Sequence, residues 1–589
     1  MTRSEKILKK FLIWRIKNVK HQHFILILSM IVGMLSGMLA VTIKNLAHYI
    51  QQSLTELDNL SLQDYGYLIY PLIGIAISGL IIKHFFQRDP GQGIATILYS
   101  ISKNNGVMKR RSAFSSFFTS ILTVGFGGSV GLEAPAAVSA SSLSSLLSKA
   151  LHLNYKNRLL MIGCAASGTL AAIFDAPVAA IVFAFEVFML DLTTASLIPL
   201  LFASALAAIS SNFFAGDELL VRVDLVRSFE MSHIPYVIVL GVFAGLLSAF
   251  FSFIYFKVGG LFEKIEKKRY RIIIGGLMLG CLLFFFPVLY GEGYGSINLM
   301  LGNNLTDLDI SFFQAGSSFW LLIFILILTV ILKALATAIT VGAGGVGGIF
   351  APTMFMGSIL GYIFSKISNH FEGSIESNHF TLLGMAALVS GILHAPLTAI
   401  FLVAEITGGY ELFIPLMVVV SIAYLTSKYF VEHSIYNSLL ASRGELVTHH
   451  KDKAVLNRIH LSKMLETNFC KIKPEMTLGE LVNWVANSSR NIFPVVDDED
   501  NFMGIVVLDD IRQIMFDRSQ YDKRKVHELM HAPSGQIQLE DSMETVMTAF
   551  KVTGAWNLVV LCNGRYCGFV SKAKIFTVYR RILVEFSEE

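Results

Sequence analysis

Gly125-Phe126-Gly127-Gly128-Ser129-Val130-Gly131-Leu132-Glu133-Ala134-Pro135 returns later in the chain as Gly342-Ala343-Gly344-Gly345-Val346-Gly347-Gly348-Ile349-Phe350-Ala351-Pro352. Six of the eleven positions agree at fixed spacing. A second pair follows each copy. Ala176-Pro177-x-x-Ala180-Ile181, closed by Glu186, reappears as Ala395-Pro396-x-x-Ala399-Ile400, closed by Glu405. Internal symmetry of this kind, with Gly and Pro breaking apolar segments at matching places, is the sequence mark of an ion pathway built from repeats.

The composition around these motifs is that of a membrane protein. The chain is 54% hydrophobic and 15% charged, with a mean hydropathy of +0.60, outside the range of ordinary soluble domains. Apolar runs extend from about His23 to about Tyr429. Full-length spans are expected at 24–50, 234–258, 272–290 and 316–337. Shorter pieces cut by Gly and Pro lie at 130–150, 158–174, 177–190, 347–365, 379–394 and 396–407. A broken helix survives in a bilayer only where protein or a water-filled cavity satisfies its freed backbone groups. Its N-terminus carries unpaired N–H groups and the positive end of the helix dipole, which suits an anion. Two related helix starts, after Gly127–Gly131 and after Gly344–Gly348, are therefore expected to meet around one. Close helix packing through small residues explains the glycines but not the repeated Ala-Pro at fixed offset.

Residues 1–22 hold seven Lys/Arg and one Glu, interleaved with apolar residues at helical spacing, and lack a small-residue cleavage site. They are expected to form a basic amphipathic helix on the cytosolic membrane surface. Glu263–Arg271 is a second basic loop, also expected in the cytosol, and the boundary between the two halves is expected near 259–271. Cys164, Cys281, Cys470, Cys562 and Cys567 show neither metal-ligand spacing nor a disulfide framework, as in a reducing compartment. The net charge of +4 is too small to imply a nucleic-acid partner.

These motifs resemble those of the CLC chloride channels and anion/proton exchangers. Gly91-Gln92-Gly93-Ile94-Ala95, Gly131-Leu132-Glu133-Ala134-Pro135 and Gly348-Ile349-Phe350-Ala351-Pro352 look like the family's G-S-G-I-P, G-K/R-E-G-P and G-x-F-x-P motifs. Tyr436, in Ser434-Ile435-Tyr436-Asn437-Ser438, matches the tyrosine after the last membrane helix. The resemblance covers roughly residues 23–440. It implies a polytopic α-helical protein of inverted-repeat, broken-helix architecture, working as a homodimer with one pathway per subunit in the cell (inner) membrane. It further implies a gating carboxylate at Glu133 and an anion site lined by Gln92, Gly93, Ile349, Phe350 and Tyr436.

The departures matter as much. Gln92 stands where the family has serine, which opens the choice of anion, since selectivity follows the number and geometry of donors. Leu132 replaces a basic residue beside the gate. Val187 occupies the place of the inner glutamate that relays protons in family exchangers, and valine holds no proton. Glu186 next to it reads as a structural residue at a helix end. The expectation is a chloride or other small-anion channel, with an exchanger using a non-standard proton path as the alternative.

After a linker at 441–456 the composition becomes that of a soluble α/β module. Val495-Val496 with Gly504-Ile505-Val506 recurs as Val559-Val560 with Gly568-Phe569-Val570. This resembles a tandem CBS pair, over 457–522 and 523–589, expected in the cytosol. Such pairs often bind adenine nucleotides through a Ser/Thr and an Asp. Here only Asp510 in the first copy and Ser571 in the second remain, so dimerisation is an equal expectation and no cofactor is required. His527-Glu528-Leu529-Met530-His531 matches H-E-x-x-H, the one feature of an intramembrane metalloprotease. No third ligand accompanies it, and no metal or enzymatic activity is expected.

Overall fold

The computed structural model describes residues 3–61, 65–86, 93–188, 193–215, 229–302, 319–371, 375–441 and 461–587, with residues 221 and 459. The chain forms two compact units, 1–446 and 447–589.

Among the described residues, the first unit is built of helices. After α1 (Arg3–Asn18) come α2 (His21–Ser61), α3 (Gly66–Ile81), α4 (Ile94–Lys103), α5 (Arg110–Gly125), α6 (Glu133–Ala150), α7 (Tyr155–Phe174), α8 (Pro177–Phe188) and α9 (Thr194–Ala215). A second series follows as α10 (Ile234–Glu263), α11 (Lys268–Phe285), α12 (Tyr294–Leu301), α13 (Phe319–Gly342), α14 (Phe350–His370), α15 (Ser377–Leu393), α16 (Pro396–Ile406) and α17 (Phe413–Phe430). The short α18 (Ile435–Ala441) closes the unit. Among the described residues, seven helices are long and apolar enough to cross a membrane.

The two series pack alike. α2 lies on α7 and α9 as α10 lies on α15 and α17; α6 pairs with α7 as α14 pairs with α15. α3 packs on its own counterpart α11, and α8 on α16, as elements beside a two-fold axis must. This pairing starts the second series at α10. The boundary between halves therefore falls between Ala215 and Ile234, not at 259–271, where the basic segment merely joins α10 to α11. The expected span 272–290 ends at Phe285 because Phe286 precedes Pro287, and a residue before proline leaves the helical region. α2 runs well past residue 50, its polar end remaining helical without apolar periodicity to announce it.

Both Ala-Pro repeats do the same local work. α7 and α15 end on Asp175 and His394, each in the left-handed conformation with φ of +50° and +55°. The chain reverses there, and Pro177 and Pro396 open the next helix, where a missing N–H costs nothing. α1 leaves Trp14 and Ile16 exposed, while the Arg15 guanidinium rests 4.1 Å from the Phe24 ring centroid.

The second unit is a duplicated α/β module. Thr477 caps the helix Leu478–Ala486, with Glu480 completing a capping box; Ser542 caps Met543–Thr553 in the second copy. Each helix leads to an antiparallel hairpin, β1 (Ile492–Val496) with β2 (Phe502–Val507), then β4 (Asn557–Cys562) with β5 (Arg565–Ser571). A short β3 (Gln536–Gln538) runs parallel to β4. Val496, Ile505, Val559, Leu561 and Phe569 form a shared core between the hairpins. Contrary to the expectation from the sequence, Cys562 and Cys567 are joined in a disulfide across the β4–β5 turn. Spacing alone hid it: the register pairs Cys562 with Arg565, and Cys567 lies at the irregularity of the hairpin between Tyr566 and Gly568.

Candidate functional site

The site is built from the repeated glycine stretch. In each copy a helix ends on a left-handed glycine, Gly127 at φ +94° and Gly344 at φ +105°. The closing hydrogen bonds match one for one: Gly128 N–H to Thr123 O at 2.7 Å and Gly345 N–H to Thr340 O at 2.9 Å, the pattern of a glycine C-cap. The chain then extends, and the copies meet. Gly131 N–H donates to Gly348 O at 2.8 Å, and Gly348 N–H to Gly131 O at 2.7 Å. This two-residue antiparallel bridge holds the starts of α6 and α14 side by side. Neither start carries a side-chain cap, since Leu132 and Ile349 occupy the N-cap positions. The first-turn N–H groups of two helices are thus left open toward the same place.

Glu133 stands there. It is 1% exposed, and a Cβ on Gly131 would collide with its carboxylate and displace it. Tyr294, the first residue of α12, donates its hydroxyl to Glu133 Oε1. The backbone N–H groups of Glu133 and Ala351 face the carboxylate, but neither is aligned well enough to satisfy Oε2, which is buried without a hydrogen-bond partner. A carboxylate on the open end of α14 fills the space that an anion would take there.

Phe350 opens α14, buried with Ile349. Its ring packs 5.1 Å from Phe174 and 6.4 Å from Phe183 between centroids, and Phe174 in turn meets Tyr294 edge-on at 6.3 Å. Tyr436, 5% exposed on α18, lies within electrostatic reach of Glu133. Gly93, at φ +49°, starts α4 beside the first turn of α6, where an added Cβ would come 3.1 Å from Ala134 Cβ. Gln92 lies outside the described residues. Of the residues expected at the site, Gly93, Glu133, Ile349, Phe350 and Tyr436 come together.

Val187 is buried on α8. The glutamate beside it has a different task. Glu186 accepts the N–H groups of Leu397 and Thr398 at 2.9 and 2.8 Å, plus the Thr398 hydroxyl. Glu405 accepts those of Val178 and Ala179 at 2.9 and 2.8 Å. Each carboxylate thus caps the N-terminus of the other copy's helix, α16 and α8, the structural role read for Glu186.

Sequence reasoning missed the loop before α12. Lys333, fully buried on α13, donates to the carbonyls of Leu289 and Gly291 at 3.2 and 2.9 Å. Ser129 Oγ donates to Leu289 O at 2.7 Å. Glu292 accepts Leu132 N–H at 2.8 Å. A signal existed: Gly291-Glu292-Gly293-Tyr294 is the repeat of Gly91-Gln92-Gly93-Ile94. In the tail, Asp510 accepts from Val507 N–H and pairs with His531, while Ser571 donates to Glu466. His527 instead meets Pro474 O, and the helix holding it ends at Leu529. The two histidines of H-E-x-x-H therefore do not share a helical face, and among the described residues no group of metal-ligating side chains occurs.

A duplicated membrane bundle whose open helix starts meet on one buried carboxylate defines an anion-pathway protein. A family model described as voltage gated chloride channel matches residues 74–428, and the chain belongs to this CLC family. The H(+)/Cl(−) exchange transporter ClcA of Yersinia pestis is 28% identical over 436 residues, 71% of this chain and 87% of its own length. A slow cyanobacterial Cl−/H+ antiporter shares the fold at a TM-score of 0.63 and 23% identity, over 72% of this chain and 99% of its own. A eukaryotic CLC transporter matches at 0.59 and 16%, over 94% of this chain and 99% of its own. The protein is a multi-pass membrane protein of CLC-type anion transport.

Proposed function

We propose that the chain conducts chloride or a similar small anion as a channel, with Glu133 as its gate. The observation that carries this reading is the Glu133 carboxylate lying on the open N-terminus of α14, where it competes with an anion for the same N–H groups. Protonation or outward movement of the side chain vacates the place. The preference for a channel rests on Val187 and on Glu186. Valine cannot relay a proton from the inner side, and the neighbouring carboxylate is held by three donors of α16. Anion movement then needs no matching proton flux. An exchanger is the second reading, favoured by relatives described as H(+)/Cl(−) exchange transporters.

The resemblance supports a homodimer in the inner membrane, with Gln92, Gly93, Ile349, Phe350 and Tyr436 lining the anion site and both termini in the cytosol. It also supports reading the tail as a CBS pair. Asp510 and Ser571 are both engaged within the tail, and dimerisation and adenine-nucleotide binding are equal readings of it. Purified protein in liposomes, with a chloride gradient and an internal pH probe, tests the choice. Anion flux without uphill proton movement is expected. Proton uptake at fixed stoichiometry would make the protein an exchanger and direct the search for a proton carrier away from position 187.

A further inference from the structure

The internal symmetry has a third member that carries chemistry. Gly93 and Gly293 both have a positive φ, +49° and +94°, and both are N-caps, of α4 and α12. α4 packs on α6 as α12 packs on α14. The stretch that begins α12 is thus the counterpart of the stretch that begins α4, which the CLC resemblance places at the anion site. The two differ in what they present. Where the first copy has Gln92 and Ile94, the second has Glu292 and Tyr294.

The loop is held from both halves of the molecule. Lys333 binds its carbonyls from α13, and Ser129 binds Leu289 from the first repeat. A Cβ on Gly293 would lie 2.6 Å from Phe355 Cδ2, so the backbone is pressed against α14. Within this frame the two side chains have opposite roles. Glu292 takes the Leu132 N–H, removing a donor from the pathway. Tyr294, 6% exposed, adds one by pointing its hydroxyl at Glu133. A buried hydroxyl needs an acceptor. When Glu133 leaves, the acceptor left to Tyr294 is whatever replaces the carboxylate.

We propose that Tyr294 is a ligand of the permeating anion: it holds Glu133 in the closed state and coordinates a small monovalent anion in its place when the gate is vacated. The pathway then has a hydroxyl donor of its own, contributed by the second repeat, in addition to the N–H groups of α14. This rests on the reading of Glu133 as the gate.

Chloride binding to the purified full chain, measured by titration calorimetry, tests it in the Glu133→Ala background, where the site is vacated. Tyr294→Phe keeps the ring and removes only the donor, and should weaken chloride about tenfold, the scale of one hydrogen bond to a charged group. Tyr290→Phe is the control. It deletes a hydroxyl in the same loop that donates to Gly125 O at 2.7 Å, and should leave chloride affinity unchanged. Equal affinity with and without the Tyr294 hydroxyl, or equal loss in both variants, would overturn the proposal while leaving the gate intact. No chloride binding in Glu133→Ala itself would overturn the gate as well. Crystals of Glu133→Ala soaked in bromide give an independent answer. An anomalous peak within hydrogen-bond distance of Tyr294 Oη is expected, and occupied bromide sites elsewhere in the pathway with none there would reject the assignment.

Discussion

The two repeats share a backbone and differ in chemistry. Gly127 and Gly344, the bridge Gly131–Gly348, Asp175 and His394, and the capping pair Glu186 and Glu405 are matched in conformation or hydrogen bonding. Where the copies stop matching, the side-chain chemistry diverges around Glu133. Glu133 faces Phe350 as its counterpart, and Tyr294 faces Ile94. A carboxylate present in both copies is a carboxylate that both copies use in the same way, as a cap. A carboxylate present in only one is free for a task that symmetry does not require. This distinction separates Glu133 from Glu186 more clearly than burial does.

The largest effect should come from the broken symmetry. Glu133→Gln removes the charge that competes with the anion, an interaction of about 1.5–3 kcal/mol, or roughly ten- to a hundredfold in site occupancy. Anion efflux from liposomes should rise and lose its pH dependence. Steep pH dependence surviving in this variant would take the gate away from Glu133. The glycines of the bridge give a sharper test, because they are symmetric in backbone but not in surroundings. Gly131→Ala drives a methyl into the Glu133 carboxylate and should alter gating. Gly348→Ala meets Ala134 Cβ at 2.9 Å and should mainly cost packing, about 1–3 kcal/mol. Flux and thermal unfolding measured together separate the two. Similar flux changes in both would mean that the bridge, not the side chain above it, sets the gate.

The caps should behave as a pair. Glu186→Ala and Glu405→Ala each free two helix-start N–H groups and should lower stability by about 1–2 kcal/mol, read as similar drops in melting temperature. Proton flux that responds to Glu186→Ala and not to Glu405→Ala would break the equivalence and revive a proton path beside Val187. The smallest effect lies in the tail. Glu475 and Lys525 pair at 2.7 Å on the surface. The Lys525 hydrogen bond holds the Glu475 carboxyl below its ordinary range. Its contribution is therefore present at neutral pH and is lost as pH falls through that lowered value. Glu475→Gln should differ from wild type slightly at pH 7, with the gap closing in acid; a gap that widens in acid would mean that the pair is not the source.

Much of this was readable beforehand, for reasons visible in particular residues. Gly127, Gly131 and Pro135 have few conformational substitutes, so their recurrence at Gly344, Gly348 and Pro352 exposed both the duplication and the broken helices. Tyr294 escaped notice for the opposite reason. Its repeat partner is Ile94, two chemically unlike letters, and only the short Gly-x-Gly before each marks the correspondence. The half boundary was misplaced because a basic loop is a conspicuous feature of charge, whereas the true boundary is defined by which helices pack on which. The link between Cys562 and Cys567 depends on the turn and the irregularity of the β4–β5 hairpin, which no spacing announces.

The sequence by itself determined the class of architecture, the places where helices break and the carboxylate at one helix start. These are matters of composition and of steric limits on the backbone, and both are local. What surrounds that carboxylate was decided by tertiary structure alone. The Tyr294 hydroxyl, the Ala351 amide and the Gly348 carbonyl below it come from segments more than 150 residues away. Hydrogen bonding is a matter of distance and angle in space, and no spacing along the chain encodes either.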